Sequence, residues 1–157
     1  MGQVIGTGAF GKVVLGVHKL TSKKVAIKVI DKANLKDEYR RNKVKTEIKI
    51  LTTLRHPNIV KLLEVFESSK HVFIVMEYGN RGDLLDYVRK KRRITETDAR
   101  TIFGQLLEGA QLCHEHGILH RDFKLDNILL HDHEKRISIC DFGVSRITKP
   151  GEVVEGK

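Results

Sequence analysis

Residues 6–16, Gly-Thr-Gly-Ala-Phe-Gly-Lys-Val-Val-Leu-Gly, constrain the fold of this chain more than any other stretch. Glycine loses more backbone entropy on folding than other residues, so three of them at positions 6, 8 and 11 need a reason. On their own they leave two readings open: close approach of the backbone to a nucleotide phosphate, or a flexible hairpin turn. The residues after Gly11 narrow the choice. Val13, Leu15 and Val17 alternate with other residues, which is a strand period. In a dinucleotide-binding fingerprint the third glycine opens a helix, whereas Gly11 leads into a strand. The stretch therefore predicts a β-turn-β that lays backbone N–H groups over a ligand as a flap.

The rest of the chain changes period halfway. Residues 24–30 predict another strand, and residues 36–54 a helix with Val44, Ile48 and Leu51 on one stripe. His56-Pro57-Asn58 ends that helix. Residues 59–67 and 71–78 predict two strands joined by Ser68-Ser69-Lys70. Gly79-Asn80-Arg81-Gly82 has turn chemistry and precedes a short helix at 83–91, so a boundary is expected here. Thr95, with Asp98 three residues on, predicts a capping box opening a longer helix. Its apolar stripe is Ala99, Ile102, Phe103, Leu106, Ala110 and Cys113, and Gly117 stops it.

Composition bounds the class. With 157 residues, 40% hydrophobic and 31% charged, the chain suits one globular domain with a real core. No apolar run is long enough to span a membrane, and the first residues do not resemble a signal peptide. Cys113 and Cys140 lack metal-ligand spacing and read as reduced thiols, which predicts a cytoplasmic or nuclear location. The formal charge of +9 raises nucleic acid or an acidic membrane as partners, but excess lysine also serves solubility. The densest basic run, residues 89–93, contains no aromatic and reads as a solvated helix end. Neither nucleic acid nor membrane is expected as a partner.

Four motifs then stand in order: Gly6-x-Gly8-x-x-Gly11-x-Val13, Val25-Ala26-Ile27-Lys28, His120-Arg121-Asp122-Phe123-Lys124-Leu125-Asp126-Asn127, and Asp141-Phe142-Gly143. Together they resemble the eukaryotic protein-kinase set: the glycine-rich loop, the strand with the ATP-binding lysine, the catalytic loop and the metal-binding DFG. The resemblance covers the whole chain. It implies an α+β, two-lobe fold, with a β-rich N-lobe at 1–78 and a partial helical C-lobe at 79–157. It also implies transfer of the γ-phosphoryl group from ATP to a hydroxyl, with Mg2+ as the metal. Lys124, two residues past Asp122, is typical of the serine/threonine type. The general look of the chain is similar to the calcium/calmodulin-dependent and AMP-activated group.

The resemblance also implies residue roles. Lys28 holds the α- and β-phosphates, oriented by Glu47; the plainer reading of Glu47 is a surface acid paired with Lys43. Asp122 accepts the substrate proton and Lys124 contacts the transferred phosphate. Asn127 and Asp141 supply hard oxygen ligands for magnesium. Gly6, Gly8 and Gly11 approach the nucleotide. Val13, Ala26, Leu84 and Leu129 sandwich the adenine, Met76 guards the back of its pocket, and Glu77 and Gly79 offer hinge C=O and N–H groups. His120 and Phe142 stack with Leu51 and Leu62 into a column linking the lobes. Asp83 and Asp126 contact basic residues of a protein substrate, with a helix N-cap as the plainer role for Asp83. Arg121 is of the kind that pairs with a phosphorylated activation loop. Ser145 and Thr148 stand too close to Asp141 to be the usual phosphosite. Cys140 reads as a small buried residue, with reach by a thiol-reactive ligand as a second reading.

Two departures from the family bear on activity. Phe123 stands where leucine is usual and is expected to pack as a larger apolar residue. The chain stops 16 residues after Asp141 (157 − 141), with no Ala-Pro-Glu and only Pro150 in the tail. The family's later helices are therefore missing, which predicts wet apolar area on helix 95–116 and a protein partner covering it. Nucleotide binding is expected to survive better than phosphotransfer. The alternative function is a non-catalytic module that binds nucleotide or protein.

Overall fold

The computed structural model describes residues 2–8, 11–131, 136–149 and 152. Ala9 and Phe10, where the turn of the flap is expected, and Pro150 lie outside the described residues. Five strands form one antiparallel sheet in the order β1-β2-β3-β5-β4: β1 Val4–Gly8, β2 Gly11–Val17, β3 Lys24–Asp31, β4 Leu62–Glu67 and β5 His71–Glu77. β2 and β3 pair without interruption from Gly11↔Ile30 to Val17↔Lys24, so Lys28 sits opposite Val13 on one side and Ile74 on the other. That register puts the lysine in the sheet centre, beneath the glycine-bearing hairpin.

Helix α1, Glu38–Thr53, shares a core with this sheet through Val44, Ile50 and Leu51 against Ile30 and Ile74. Asp37 caps it by accepting a hydrogen bond from the Arg40 backbone N–H, and Leu54 leaves it in extended conformation. Its buried face is Val44, Glu47, Ile50 and Leu51. The expected stripe had Ile48 instead of Ile50; Ile48 is half-buried, and the place beside Val44 and Leu51 that faces inward is taken by an acid, Glu47.

Beyond the sheet the chain becomes helical, with α2 at Leu84–Lys91 and α3 at Glu96–Glu115. Asp83 caps α2, and Thr95 caps α3 by accepting from the Asp98 N–H at 3.1 Å. Arg89, Lys90 and Lys91 form the last turn of α2, where cations complement the helix dipole. α3 turns Ile102, Leu106, Gly109 and Cys113 inward. Phe103 does not join that stripe: one residue past Ile102 it points about 100° away and stays 58% exposed, with Leu107 54% exposed beside it. Among the described residues no helix is long and apolar enough to cross a membrane.

Short strands then set the loops. β6 (Ile118–Leu119) pairs with β9 (Arg146–Ile147), and β7 (Ile128–Leu130) pairs with β8 (Ile137–Ile139). Residues 120–127 thus connect β6 to β7, while residues 140–145 connect β8 to β9. The two pairings carry both loops to one end of the fold.

One apolar cluster joins the sheet to the helical part. It contains Ile30 and Ile74 from the sheet, Ile50 and Leu51 from α1, and Cys113, Ile139 and Phe142 from below. The residues after α1 do more than end a helix. Ile59 bridges Ile139, with 2.9 Å bonds from Val60 N to Ile139 O and from Ile139 N to Asn58 O. Buried Asn58 donates to Gln105 Oε1 and to the Ile137 carbonyl. A buried amide with both donors used fixes the α1–β4 connection to the helical part.

Candidate active site

A cleft of about 480 Å³ has walls from both parts. Its roof is the β1–β2 hairpin and β3, and it holds Gly6, Gly8, Val13, Ala26 and Lys28. Met76, Glu77 and Gly79 form its rear, and Leu129, Asn127 and Asp141 its floor. Residues more than a hundred positions apart meet here because the β7–β8 hairpin docks under the sheet.

Lys28 is the centre of the charge arrangement. Its Nζ lies 2.6 Å from Glu47 Oε1 and 3.7 Å from Asp141 Oδ1. The side chains of Lys28 and Glu47 are only 7% and 3% exposed, so water screens this pair little. The plainer pairing of Glu47 with Lys43 is not what the structure shows; Lys43 instead lies over the Tyr39 ring. Glu47 Oε2 is buried without a hydrogen-bond partner among the described residues. An ammonium held so close to two carboxylates cannot wander, which is what a phosphate-binding lysine needs.

The floor is wetter; its Asn127 and Lys124 both reach Asp122, which stands at the edge of the cleft and is not itself in the wall. Asp122 Oδ2 accepts from Asn127 Nδ2 at 2.9 Å and lies 3.0 Å from Lys124 Nζ. Burial pushes the Asp122 carboxyl up, but the hydrogen bonds from Lys124 and Asn127 and the Lys124 charge outweigh it and hold the group below its ordinary value. Lys124 is raised in turn, chiefly by its hydrogen bond to Asp122. Asp122 is therefore an ionised acceptor at neutral pH. Asn127 Nδ2 also donates to the Asp122 carbonyl, so the amide oxygen is the atom it has left to offer.

His120 orients Asp122 from inside. Its Nδ1 accepts the Asp122 backbone N–H at 3.2 Å, which leaves Nε2–H to donate to the Cys140 carbonyl at 3.0 Å. Burial holds this imidazole below its ordinary value, against the Cys140 carbonyl, Asp122 and Asp141. The His120 ring meets Phe142 edge-on at 4.8 Å and stacks on Phe123 at 4.6 Å. Leu51 and Phe142 share the main core, and Leu62 packs against it. Phe123 thus packs on one face while remaining 45% exposed.

Arg121 and Asp141 both have positive φ, 64° and 61°. Backbone strain at non-glycine residues survives only where surroundings impose it; Asp141 lines the cleft and Arg121 stands in the loop beside it. The Arg121 guanidinium donates to the Val144 carbonyl. Asp141 Oδ1 accepts from the Gly143 N–H at 3.2 Å, and the carboxylate stays 44% exposed toward the cleft. Ser145 is buried and donates to the His120 carbonyl, and Thr148 donates to Gly117. Both hydroxyls are occupied in holding the loops together.

Several expected residues fall elsewhere. Leu84 does not line the cleft: it is 4% exposed and packs with Ile102, Ile128, Leu130 and Ile137 in a second core beneath. As the first residue of α2 it points into the helical part. Gly11 is also not in the cleft wall. A Cβ there would lie 2.0 Å from the Val29 carbonyl oxygen, so β3, not a ligand, demands that glycine. Gly6 and Gly8 differ, since their nearest neighbours would be at 3.7 and 3.8 Å. Asp83 faces the cleft, but its Oδ1 caps α2 by accepting from Asp86 N at 2.8 Å. Cys140 lines the cleft, and burial, then Asp141, pushes its thiol up to about 12.

Ile5 lines the cleft too, and no motif or period points to it. Strand alternation alone misplaces it because β1 is irregular between Val4 and Gly6, where the register to β2 slips. Such a bulge re-aims a side chain, and nothing in the residue types announces it.

The donor set fits a magnesium nucleotide. Asp141 offers an exposed carboxylate and Asn127 an amide oxygen, both hard ligands on one side of the lysine. Among the described residues no cluster of three or more His, Cys, Asp or Glu could hold a metal by itself. A two-ligand site that leaves positions for phosphate oxygens and water suits magnesium.

Comparison with known proteins agrees with this geometry. The chain is 40% identical over 158 residues to a carbon catabolite-derepressing protein kinase of Secale cereale, covering 99% of this chain and 31% of that protein. It is 39% identical over 155 residues to the serine/threonine protein kinases OSK3 and OSK4 of Oryza sativa subsp. indica, covering 99% of this chain and 30% of each. The chain spans about three tenths of the length of these relatives. The protein kinase domain model matches residues 1–155, and the chain belongs to that family.

Proposed function

We propose that this chain transfers the γ-phosphoryl group of ATP to a serine or threonine hydroxyl of a protein. The observation that carries the reading is the meeting of Lys28, Glu47 and Asp141, from β3, α1 and the β8–β9 loop, within 3.7 Å of one ammonium. Lys28 binds and orients the α- and β-phosphates. Asn127 and Asp141 hold magnesium, which when bound neutralises charge on the phosphates. Asp122 accepts the proton of the attacking hydroxyl and aligns its oxygen, while Lys124 adds positive charge beside it. Val13, Ala26 and Leu129 enclose the base against the Met76 and Glu77 wall. Gly6 and Gly8 have room for a Cβ in the protein alone, so their cost is explained by a phosphate lying against the backbone.

A preference for basic substrates is supported by acids at the cleft: Asp83, Asp86 and Asp126 all line it. The two free thiols suit a reducing compartment, cytoplasm or nucleus. A second reading, a nucleotide-binding module with a protein partner, is favoured by Phe103 and Leu107, one turn apart and exposed on α3.

A radiolabelled ATP assay on a basic serine/threonine peptide tests the reading, with Asp122→Asn as control. Incorporation that the substitution abolishes supports phosphotransfer. Magnesium-dependent stabilisation by ATP without incorporation supports the binding module. Incorporation that survives Asp122→Asn contradicts the role of this carboxylate.

A further inference from the structure

Glu77, the last residue of β5, stands in the wall of two cavities. In front is the nucleotide cleft; behind is a groove of about 750 Å³, whose wall also includes Leu54, Pro57, Leu62 and Arg136. Glu77 alone of the hinge has space on both faces, so it is not held by close packing; the β3 ladder, through Val25↔Glu77, and the polar contacts of its side chain hold it. Glu77 Oε1 accepts the Lys61 backbone N–H at 3.0 Å, and the Glu77 N–H donates to the Lys61 carbonyl at 3.0 Å. Glu77 Oε2 accepts from Arg136 Nη2 at 2.8 Å. The other guanidinium nitrogen, Nη1, donates to the Pro57 carbonyl at 2.7 Å. Side-chain exposure is 19% for Glu77 and 30% for Arg136, so the pair is partly sheltered from solvent.

One guanidinium therefore ties three segments that are remote in sequence: the hinge, the connection after α1, and the entry to β8. We infer that Arg136 is a positioning residue for nucleotide binding, holding the hinge through Glu77 from the side opposite the ligand. The inference rests on the reading that the cleft takes a nucleotide. Its physical basis is preorganisation: a hinge already held in its binding geometry has less freedom to lose when the base docks. Arginine suits this role because its rigid fork serves two acceptors at once, whereas a lysine ammonium at the same place reaches only one of them well.

The test titrates a magnesium complex of a non-hydrolysable ATP analogue by calorimetry into the wild-type chain, Arg136→Met and Arg136→Lys. Amide hydrogen exchange at Lys61 and Glu77 is measured in parallel. The expected result is about five-fold weaker binding for Arg136→Met, with Arg136→Lys recovering part of it. Exchange at Lys61 and Glu77 rises in Arg136→Met while β2 and β3 are unchanged. If Arg136→Met does not fold, Arg136→Gln, which keeps a donor and much of the volume, gives the same comparison. Unchanged affinity in the folded variant overturns the inference, whatever the exchange shows. Weaker binding accompanied by faster exchange throughout the sheet also overturns it, because the role is then general stability. A wild-type chain that binds no nucleotide removes the reading beneath it, and the inference with it; a wild type that binds beside a variant that binds equally well removes the inference alone.

Discussion

The roof and the floor of the cleft each carry a lysine–carboxylate pair, and the two are built differently. Lys28 and Glu47 in the roof are 7% and 3% exposed, while Lys124 and Asp122 on the floor are 49% and 33% exposed. The roof pair lies in a low-dielectric setting where losing one partner strands the other without water. The floor pair is screened, so it contributes little to folding and remains free to exchange partners. The contrast fits two tasks. A phosphate-binding cation has to be fixed before the ligand arrives, whereas an acid that aligns a hydroxyl has to be reachable by it.

Substitution separates these tasks. The largest effect is expected at the floor in chemistry: Asp122→Asn lowers phosphate incorporation by about a thousand-fold. Its unfolding free energy, read by denaturant titration, shifts by less than about 0.5 kcal/mol, as for an ordinary surface change. Next comes the roof, where Lys28→Met lowers unfolding free energy by about 3 kcal/mol because Glu47 is left charged and buried. Adding Glu47→Leu to that variant recovers a good part of the loss, since an apolar pair needs no compensation. Equal stability of Lys28→Met and the wild type would erase the distinction between roof and floor.

The glycines of the flap sharpen the same comparison with smaller effects. Gly11→Ala places a Cβ 2.0 Å from the Val29 carbonyl and is expected to cost about 2 kcal/mol of stability by overpacking. Gly6→Ala has 3.7 Å of clearance and is expected to gain about 0.5 kcal/mol while weakening nucleotide binding. Thermal melts with and without Mg·ATP separate the two outcomes.

The pH dependence is the mildest effect. His120 is held below its ordinary value of 6.5 by burial, and His131 likewise by burial and then by the Arg136 charge. The unfolded chain takes up protons at these sites near pH 6.5 that the folded chain refuses. Stability is therefore present above that pH and lost as pH falls below it. Melting temperature should decline between about pH 7.5 and about pH 5.5, and His131→Asn should flatten part of the decline.

Motif spacing made much of this site legible in advance, because each motif is local. Lys28, Asp122, Asn127 and Asp141 each announce themselves within a few neighbours, and strand alternation placed the sheet elements. What stayed hidden depends on contacts remote in sequence or on small shifts in backbone register. Ile5 enters the cleft through a bulge, and Leu84 leaves it because the first turn of α2 aims that side chain at the second core. Gly11 resembles its two companions in sequence, and only the closeness of β3 sets it apart. Asn58 read as a helix stop, yet its amide reaches Gln105 and Ile137, which lie 47 and 79 residues away. Arg136 gave no signal at all, since only the fold brings it to Pro57 and Glu77.

On the proposed reading, Lys28, Asn127 and Asp141 share one magnesium nucleotide. Calorimetric titration of an ATP analogue into the wild-type chain and Asp141→Asn, each with magnesium and with chelator, tests it most directly. Magnesium is expected to strengthen wild-type binding at least about ten-fold and to make little difference to the Asp141→Asn variant. Wild-type affinity indifferent to magnesium, or a magnesium effect that Asp141→Asn leaves intact, would contradict it.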